Sequence, residues 1–182
     1  MLPYLFLLVA VAIRFLVALR LLPFAFNFTP LGAALLFFGA RAERKRMWIP
    51  VLAFAASDVI LNRFVYGYPF TADLLVTWLW YAGIVLLGGW LKDNERPLRV
   101  GGAALATSVT FFLVSNFAVW AVWSMYPKNA AGLLQSYVAG LPFFRQTVAS
   151  DLLFSVLFFG LPALVSAVQR RGRAAGVTSQ AT

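Results

Sequence analysis

The sequence predicts an all-α integral membrane protein, a single-domain bundle of six transmembrane helices over residues 1–173 with both termini in the cytoplasm. Three features predict it: the composition, six apolar segments, and the distribution of basic residues. Apolar residues make up 62% of the 182 residues and charged residues only 12%, against roughly 45–50% and about 25% in ordinary globular chains. A water-soluble domain cannot bury that much apolar surface, so the surplus is expected to face lipid.

The apolar segments are separated by short polar or aromatic stretches and cover residues 2–22, 29–40, 47–62, 74–91, 100–124 and 143–169. A helix needs about 20 residues to cross a hydrocarbon core of about 30 Å. The first, fourth, fifth and sixth segments satisfy this length, the third is marginal and the second is short. Thr29 and Pro30 predict the start of the second helix, with Thr29 as N-cap and Pro30 as the first helical residue.

Lys and Arg residues are concentrated on one side of the predicted bundle. Three of the fifteen (Arg63, Lys128 and Arg145) lie on the other side, and Arg14 and Arg20 lie in the first helix. The remaining ten lie in two loops and the tail: Arg41, Arg44, Lys45, Arg46, Lys92, Arg96, Arg99, Arg170, Arg171 and Arg173. Since such loops are retained in the cytoplasm, we expect both ends there, with residues 174–182 as a disordered tail.

Several function classes are disfavoured by what the chain lacks. It has no Cys and no His, which removes thiolate and imidazole ligands and the commonest proton-transfer group, so we expect no metal and no cofactor. Neither a nucleophile elbow nor a phosphate-binding loop occurs, so we expect neither an enzyme nor a chain that drives transport with ATP by itself. The basic residues lie in short loops between apolar segments, so we expect no nucleic-acid partner.

Apart from Arg145, which is counted with the outer side at the start of the sixth segment, four charged residues fall within the predicted membrane helices: Arg14, Arg20, Asp58 and Asp151. Each costs roughly 2.5–3.5 kcal/mol to insert, so such residues mark either an ion pair or a functional site. Arg20, Asp58 and Asp151 are expected in the outer half of the bundle. One interpretation is a buried ion pair of Arg20 with Asp58 or Asp151 that fixes helix register.

The other interpretation is a small-molecule site, because polar and aromatic side chains recur on single helix faces in the same outer half. Thr147, Asp151 and Ser155, for example, are spaced four residues apart. Such faces from several helices predict a polar pocket with an aromatic wall. The predicted substrate-binding residues are Asn27, Asp58, Asn62, Tyr66, Thr77, Trp80, Tyr81, Asn116, Trp120, Lys128, Arg145 and Asp151.

The predicted outer connections, residues 24–28, 62–73 and 124–142, are rich in aromatic residues, Pro and Gly. An aromatic belt at headgroup depth explains some of these residues. A belt is expected at both interfaces, however, and the inner side offers mainly Trp48 and Trp90. The asymmetry favours a lid or a pocket mouth on the outer side.

Several runs of residues together resemble a known family. They are Asn27-Phe28-Thr29-Pro30-Leu31-Gly32-Ala33, Ser57-Asp58, Ser115-Asn116-Phe117-Ala118-Val119-Trp120, Tyr126-Pro127-Lys128, Leu141-Pro142-Phe143-Phe144-Arg145 and Asp151-Leu152-Leu153. This set resembles a bacterial family of uncharacterised six-helix integral membrane proteins, a domain of unknown function, over roughly residues 10–165. That family in turn resembles the substrate-binding S-components of energy-coupling-factor (ECF) vitamin transporters.

The resemblance implies an S-component-like bundle in the bacterial cytoplasmic membrane that takes up a vitamin-like nutrient. Besides the lipid bilayer, it implies an ECF-type coupling subunit and its ATPases as partners. Two features depart from the S-component pattern. S-components usually carry an Ala-xxx-Ala pattern in helix one that docks on the coupling subunit, whereas Ala10, Ala12 and Ala18 here are not four apart. Solitary members proposed to take up cobalamin use a cysteine as a cobalt ligand, and this chain has no cysteine. The alternative function is a non-transporting membrane scaffold or assembly subunit whose intramembrane polar residues are structural.

Overall fold

Six α-helices form the described part of the protein in the computed structural model, which covers residues 1–22 and 28–179, with side chains described up to residue 170. The helices are α1 (Leu2–Ala18), α2 (Leu31–Arg41), α3 (Trp48–Leu61), α4 (Ala72–Leu91), α5 (Pro97–Val122) and α6 (Ala130–Ser179). No strand occurs in these residues. The predicted all-α fold is therefore confirmed.

Four helical stretches are long and apolar enough to cross a membrane: Arg44–Tyr66, Ala72–Leu91, Pro97–Val122 and Ala130–Arg170. The chain is therefore a helical membrane protein, as its composition predicts. The third segment, marginal in the sequence, reaches 23 residues because a 3₁₀ turn precedes α3 and a π-helical turn, Asn62–Tyr66, follows it. Helices α1 and α2 are apolar but shorter.

A tight turn ends α1 at Ala18, earlier than the predicted end near residue 22. The Arg20 amide donates to the Val17 carbonyl at 3.0 Å, and the Leu21 amide donates to the Leu16 carbonyl at 2.9 Å, which is the Schellman pattern. Arg20 adopts a left-handed φ of 60°, which costs a non-glycine residue about 1–2 kcal/mol. The prediction that Arg20 lies within the first helix is therefore wrong.

The short helix α2 lies at the centre of the bundle. It contacts the five other helices, and all its residues from Gly32 to Ala40 are buried. Two glycines allow the close approach of α2 and α4: a Cβ on Gly39 would overlap the Val85 carbonyl, and one on Gly88 would overlap the Leu36 carbonyl. The segment that is too short to span by itself is therefore enclosed by protein.

The start of α2 differs from the prediction by one residue. The helix begins at Leu31, with Pro30 in the N-cap position and no side-chain cap. Thr29 is therefore not the N-cap; its carbonyl accepts a hydrogen bond from the Ser150 hydroxyl at 2.6 Å. This bond ties the start of α2 to α6.

The connection between α5 and α6 is shorter than the predicted 124–142, because α6 already begins at Ala130 and passes through Pro142. Proline predicts a helix boundary in water, whereas transmembrane helices tolerate it where neighbouring groups satisfy the freed carbonyl. The helix continues to Ser179, into the range for which a disordered tail is predicted. Disorder concerns motion in solution, and it stays a prediction.

The end of the bundle that holds Met1, which we call the basic end, is packed with aromatic rings. Phe6 stacks on Phe158 with 4.2 Å between ring centroids, and Tyr4 meets Phe38 edge-on at 5.2 Å. Arg46, from the basic loop before α3, donates to the Tyr4 hydroxyl at 3.1 Å. The opposite end, where α1 ends and α2 begins, we call the cavity end; which end faces the cytoplasm stays a prediction from the charge distribution.

Candidate functional site

A cavity of about 380 Å³ lies at the cavity end, and all six helices contribute to its lining. Its volume falls in the range of small-molecule sites, about 300–1,000 Å³. Apolar walls come from residues such as Val17, Leu74 and Phe111. The charged and polar lining residues are Arg14, Arg20, Thr29, Asp58, Asn62, Tyr66, Thr77, Trp80, Tyr81, Thr147 and Asp151.

On one side of the cavity, Arg14, Asp58 and Tyr81 belong to the lining. They form a hydrogen-bond network with Ser57 and Trp78, which are not in the lining, and we call the five residues the Asp58 wall. Arg14 forms an ion pair with Oδ1 of Asp58, and the Tyr81 hydroxyl donates to the same oxygen at 3.4 Å. The Trp78 indole donates to Oδ2 at 2.9 Å, and Arg14 also donates to the Ser57 hydroxyl at 3.0 Å. Both carboxylate oxygens of Asp58 are therefore satisfied by protein.

On a second side, Gly32 and Asp151 line the cavity. Together with the buried Thr107, Ser108 and Ser155, which are not in the lining, we call them the Asp151 wall. Oδ2 of Asp151 accepts a hydrogen bond from the Ser108 hydroxyl at 2.7 Å. A Cβ on Gly32 would overlap the Asp151 carboxylate and the Thr107 methyl group, so only glycine allows α2 to approach this closely. Within the described residues, Asp151 has no cationic partner, and the buried Ser155 hydroxyl has no hydrogen-bond partner.

Seven of the twelve predicted substrate-binding residues line this cavity: Asp58, Asn62, Tyr66, Thr77, Trp80, Tyr81 and Asp151. Asn62 and Tyr66 come from the π-helical turn that extends α3. Asp58, Tyr81 and Asp151 have the hydrogen bonds already described. Two more of the seven also use their polar groups within the protein: Thr77 donates to the Asp73 carbonyl at 3.0 Å, and the Trp80 indole donates to Thr110 at 3.0 Å. The convergence of the seven is a finding, and their role in binding stays a prediction.

Two predicted site residues instead stabilise the turn between α5 and α6. Lys128 donates to the carbonyls of Trp120 and Trp123 at the end of α5. The Trp120 indole donates to the Pro127 carbonyl at 2.8 Å. Lys128 and Trp120 therefore close the turn, and neither lines the cavity.

The remaining three predicted residues are also not in the cavity lining. Asn116 lies against Gly140 and borders a separate, smaller cavity of about 180 Å³ between α5 and α6. Arg145 is exposed on α6. Asn27 lies outside the described residues.

Arg14, Arg20, Phe111 and Thr147 line the cavity but are missing from the predicted set. A charge within an apolar helix is the signal for Arg14, and the shared face with Asp151 is the signal for Thr147. The interpretation that pairs Arg20 with an aspartate is not borne out, because Asp58 pairs with Arg14 and Asp151 has no cationic partner among the described residues. Phe111 has no feature that separates it in the sequence from the other phenylalanines of α5.

Aromatic residues from the α3–α4 connection gather at the cavity end. Tyr66 stacks on Tyr68 at 5.8 Å, and Tyr68 meets Trp123 edge-on at 6.1 Å. Tyr66 lines the cavity, whereas Tyr68 and Trp123 do not. Tyr66 therefore forms part of the cavity wall, whereas the exposed Tyr68 agrees with an aromatic belt at headgroup depth.

Fold and site together define a multi-pass helical membrane protein with a polar, aromatic-walled cavity near one end. Residues 2–174 match the model of a family described as a family of unknown function (DUF6580), and the chain belongs to that family. No curated protein and no solved structure matches it. The predicted membership of a family of unknown function is confirmed, and the likeness to S-components stays a prediction.

Proposed function

We propose that this protein binds a small nutrient molecule and is the substrate-binding part of an uptake system, in the manner of an ECF S-component. The observation that carries the proposal is the cavity of about 380 Å³ shared by six helices. It combines aromatic walls with a few polar groups from different helices, as small-molecule sites do. Since ten Lys and Arg residues favour the cytoplasm for the other end, we propose that the cavity opens outward.

The lining suggests how such a ligand is held. Tyr66 is 46% exposed and Trp80 only 9% exposed, so Tyr66 supplies a ring at the mouth and Trp80 one deeper in the wall. Asn62 offers its amide to polar groups of the ligand. The Thr147 hydroxyl donates to the Phe143 carbonyl at 3.1 Å, so it offers its oxygen as an acceptor. The vitamin-like identity of the nutrient is part of the proposal and comes from the S-component resemblance.

The proposed uptake system needs an energy source outside this chain, because the sequence has no phosphate-binding loop. We propose an ECF-type coupling subunit and its ATPases as partners in the bacterial cytoplasmic membrane. Mild-detergent purification of the full chain from its native membrane tests this part. Copurifying ATPase subunits support the proposed system, and a single-component preparation that still takes up ligand contradicts it.

The binding proposal is tested by thermal unfolding of the purified protein across a panel of vitamins and related nutrients. A ligand at 100 times its dissociation constant stabilises the folded state by about 2.7 kcal/mol, so a true ligand raises the melting temperature. Thr77→Phe fills the cavity and should abolish that rise. Leu79→Phe, on the same helix at a position 75% exposed, is the matched control and should retain it. A flat panel, or equal rises in both variants, contradicts the proposal.

The Asp58 wall favours a second candidate, the membrane scaffold or assembly subunit. A satisfied ion pair that joins α1, α3 and α4 is what a purely structural role requires. The discriminating result is a stable protein partner that copurifies in stoichiometric amount while no compound in the panel raises the melting temperature.

A further inference from the structure

The charges that remain uncompensated in the cavity indicate the chemical class of its ligand. Arg14 and Asp58 neutralise each other within the Asp58 wall. Two other charged side chains line the same cavity, Arg20 and Asp151. Across the described part of the chain, Arg20 has no side-chain hydrogen bond or ion pair, and Asp151 has only the Ser108 hydroxyl. The cavity therefore presents the guanidinium of the exposed Arg20 and a buried carboxyl group, and neither has a partner of opposite charge within the described residues.

The backbone at Arg20 shows that a cation is present there at a cost to the fold. Arg20 occupies the left-handed position after α1, with φ of 60°, which glycine adopts with least strain. The Schellman turn around it uses only backbone groups, so the guanidinium contributes nothing to that turn. A residue that is unfavourable for the turn and that lines the cavity is typical of a functional position.

The carboxyl group of Asp151 is buried, and its hydrogen-bonding capacity is only partly used by the protein. The residue is 3% exposed, and α2 approaches its carboxylate through Gly32, where a side chain would overlap it. A buried carboxylate with a single neutral donor leaves acceptor capacity unused. A cation bound at this carboxylate would offset the cost of removing its charge from water.

We propose, on the basis of the proposed function, that the ligand is a small zwitterion. Its acidic group, a carboxylate or phosphate, pairs with Arg20, because guanidinium binds such groups through two parallel hydrogen bonds. Its ammonium group pairs with Asp151. The ligand thus compensates both unpaired charges and adds no net charge to the cavity.

The first experiment uses ω-amino acids from glycine to 6-aminohexanoate as probes, so that chain length measures the span between the two charges. Thermal unfolding of the full purified chain is recorded with each, and with hexanoate and hexylamine, which each keep one charged end. We expect at least one amino acid to raise the melting temperature, and neither single-charge compound to do so at the same concentration. A series without effect, or an equal rise with hexanoate or hexylamine, overturns the inference.

Failure of this inference is distinguishable from failure of the proposed function. If a neutral vitamin from the panel stabilises the protein while the amino acids do not, the cavity binds a ligand of another class and the proposed function stands. If neither set of compounds has any effect, both proposals fail.

The second experiment separates a binding role of Arg20 from a structural one. Arg20→Gly relieves the left-handed strain, so the ligand-free variant should melt at a higher temperature than the wild type. Arg20→Gly should also weaken binding of the ω-amino acid that stabilises the wild type most, by at least about tenfold. Asp151→Asn should weaken its binding to the same extent. Arg63→Gln, an exposed cation near the same end that does not line the cavity, is the control. Unchanged ligand affinity in Arg20→Gly overturns the inference even if its stability rises.

Discussion

The Asp58 wall and the Asp151 wall bury their carboxylates to nearly the same extent, 5% and 3% exposed, yet they surround them differently. Asp58 receives a guanidinium, a phenol and an indole from two other helices. Asp151 receives one hydroxyl and lies against a glycine. Burial therefore does not distinguish the two residues, and the number and charge of their partners do.

This difference teaches that one cavity can combine a structural and a functional acid. A carboxylate whose lone pairs are all used by protein fixes helix positions and has little to offer a ligand. A carboxylate with unused acceptor capacity and no counter-charge is available for binding. The three substitutions below test that assignment, from the largest expected loss of stability to the smallest.

Asp58→Asn should be the most destabilising, by about 3–5 kcal/mol, because it leaves the Arg14 guanidinium, whose side chain is only 19% exposed, without a counter-charge. Denaturant or thermal unfolding in detergent measures the loss. Glu95→Gln is the control, since it breaks the Arg41–Glu95 ion pair, whose side chains are 42% and 20% exposed, and should cost under about 1 kcal/mol. Equal losses for the two variants would show that the Asp58 wall is not a structural ion pair.

Gly32→Ala should destabilise by about 1–3 kcal/mol, because its methyl group overlaps the Asp151 carboxylate and forces α2 and α6 apart. Gly83→Ala in α4 is the matched control, as nothing lies within 4 Å of its added Cβ. Its higher helix propensity should stabilise the protein by up to about 1 kcal/mol. If both substitutions shift the unfolding midpoint in the same direction, the Asp151 wall is looser than described.

Asp151→Asn should change the stability of the ligand-free protein by under about 1 kcal/mol. The amide oxygen of Asn still accepts the hydrogen bond from Ser108, and removal of an unpaired charge relieves its desolvation cost. The same unfolding assay, run beside Asp58→Asn, gives the direct comparison of the two walls. A loss as large as that of Asp58→Asn would mean that Asp151 also holds a structural ion pair, and the distinction between the walls would fail.

The membrane fold can be predicted from the sequence because a high apolar content and apolar segments of about 20 residues indicate directly that the chain lies in lipid. The enclosure of α2 does not, since an apolar helix of 11 residues has the same composition whether lipid or protein surrounds it. Helix spacing also predicts faces, and it brings Asp58, Asn62 and Asp151 to one cavity. The position of a residue along its helix is harder to predict. Arg20 lies beyond the end of α1 and Arg14 pairs with Asp58, but the turn that ends α1 contains no glycine that would mark it in the sequence.

Proline and turn chemistry explain the other errors. Pro142 is a boundary signal in soluble proteins, but α6 continues through it, so residues 130–142 form helix where a loop is predicted. Lys128 and Trp120 resemble binding residues in composition alone. Their side chains donate hydrogen bonds to nearby carbonyls at the end of α5 and in the following turn. The spacing of residues on a helix face cannot predict such local bonds.

The central position of α2 means that its native surroundings are complete only after the last three helices have been synthesised. Its faces are covered by α4, α5 and α6 as well as by α1 and α3, and the ribosome produces α4, α5 and α6 later. A nascent chain that ends after α3 therefore lacks three of the five helices that cover α2, and α2 itself has too few residues to span the bilayer. Release of the C-terminal half completes the surroundings of α2, so the middle of this protein is the last part to reach its native packing.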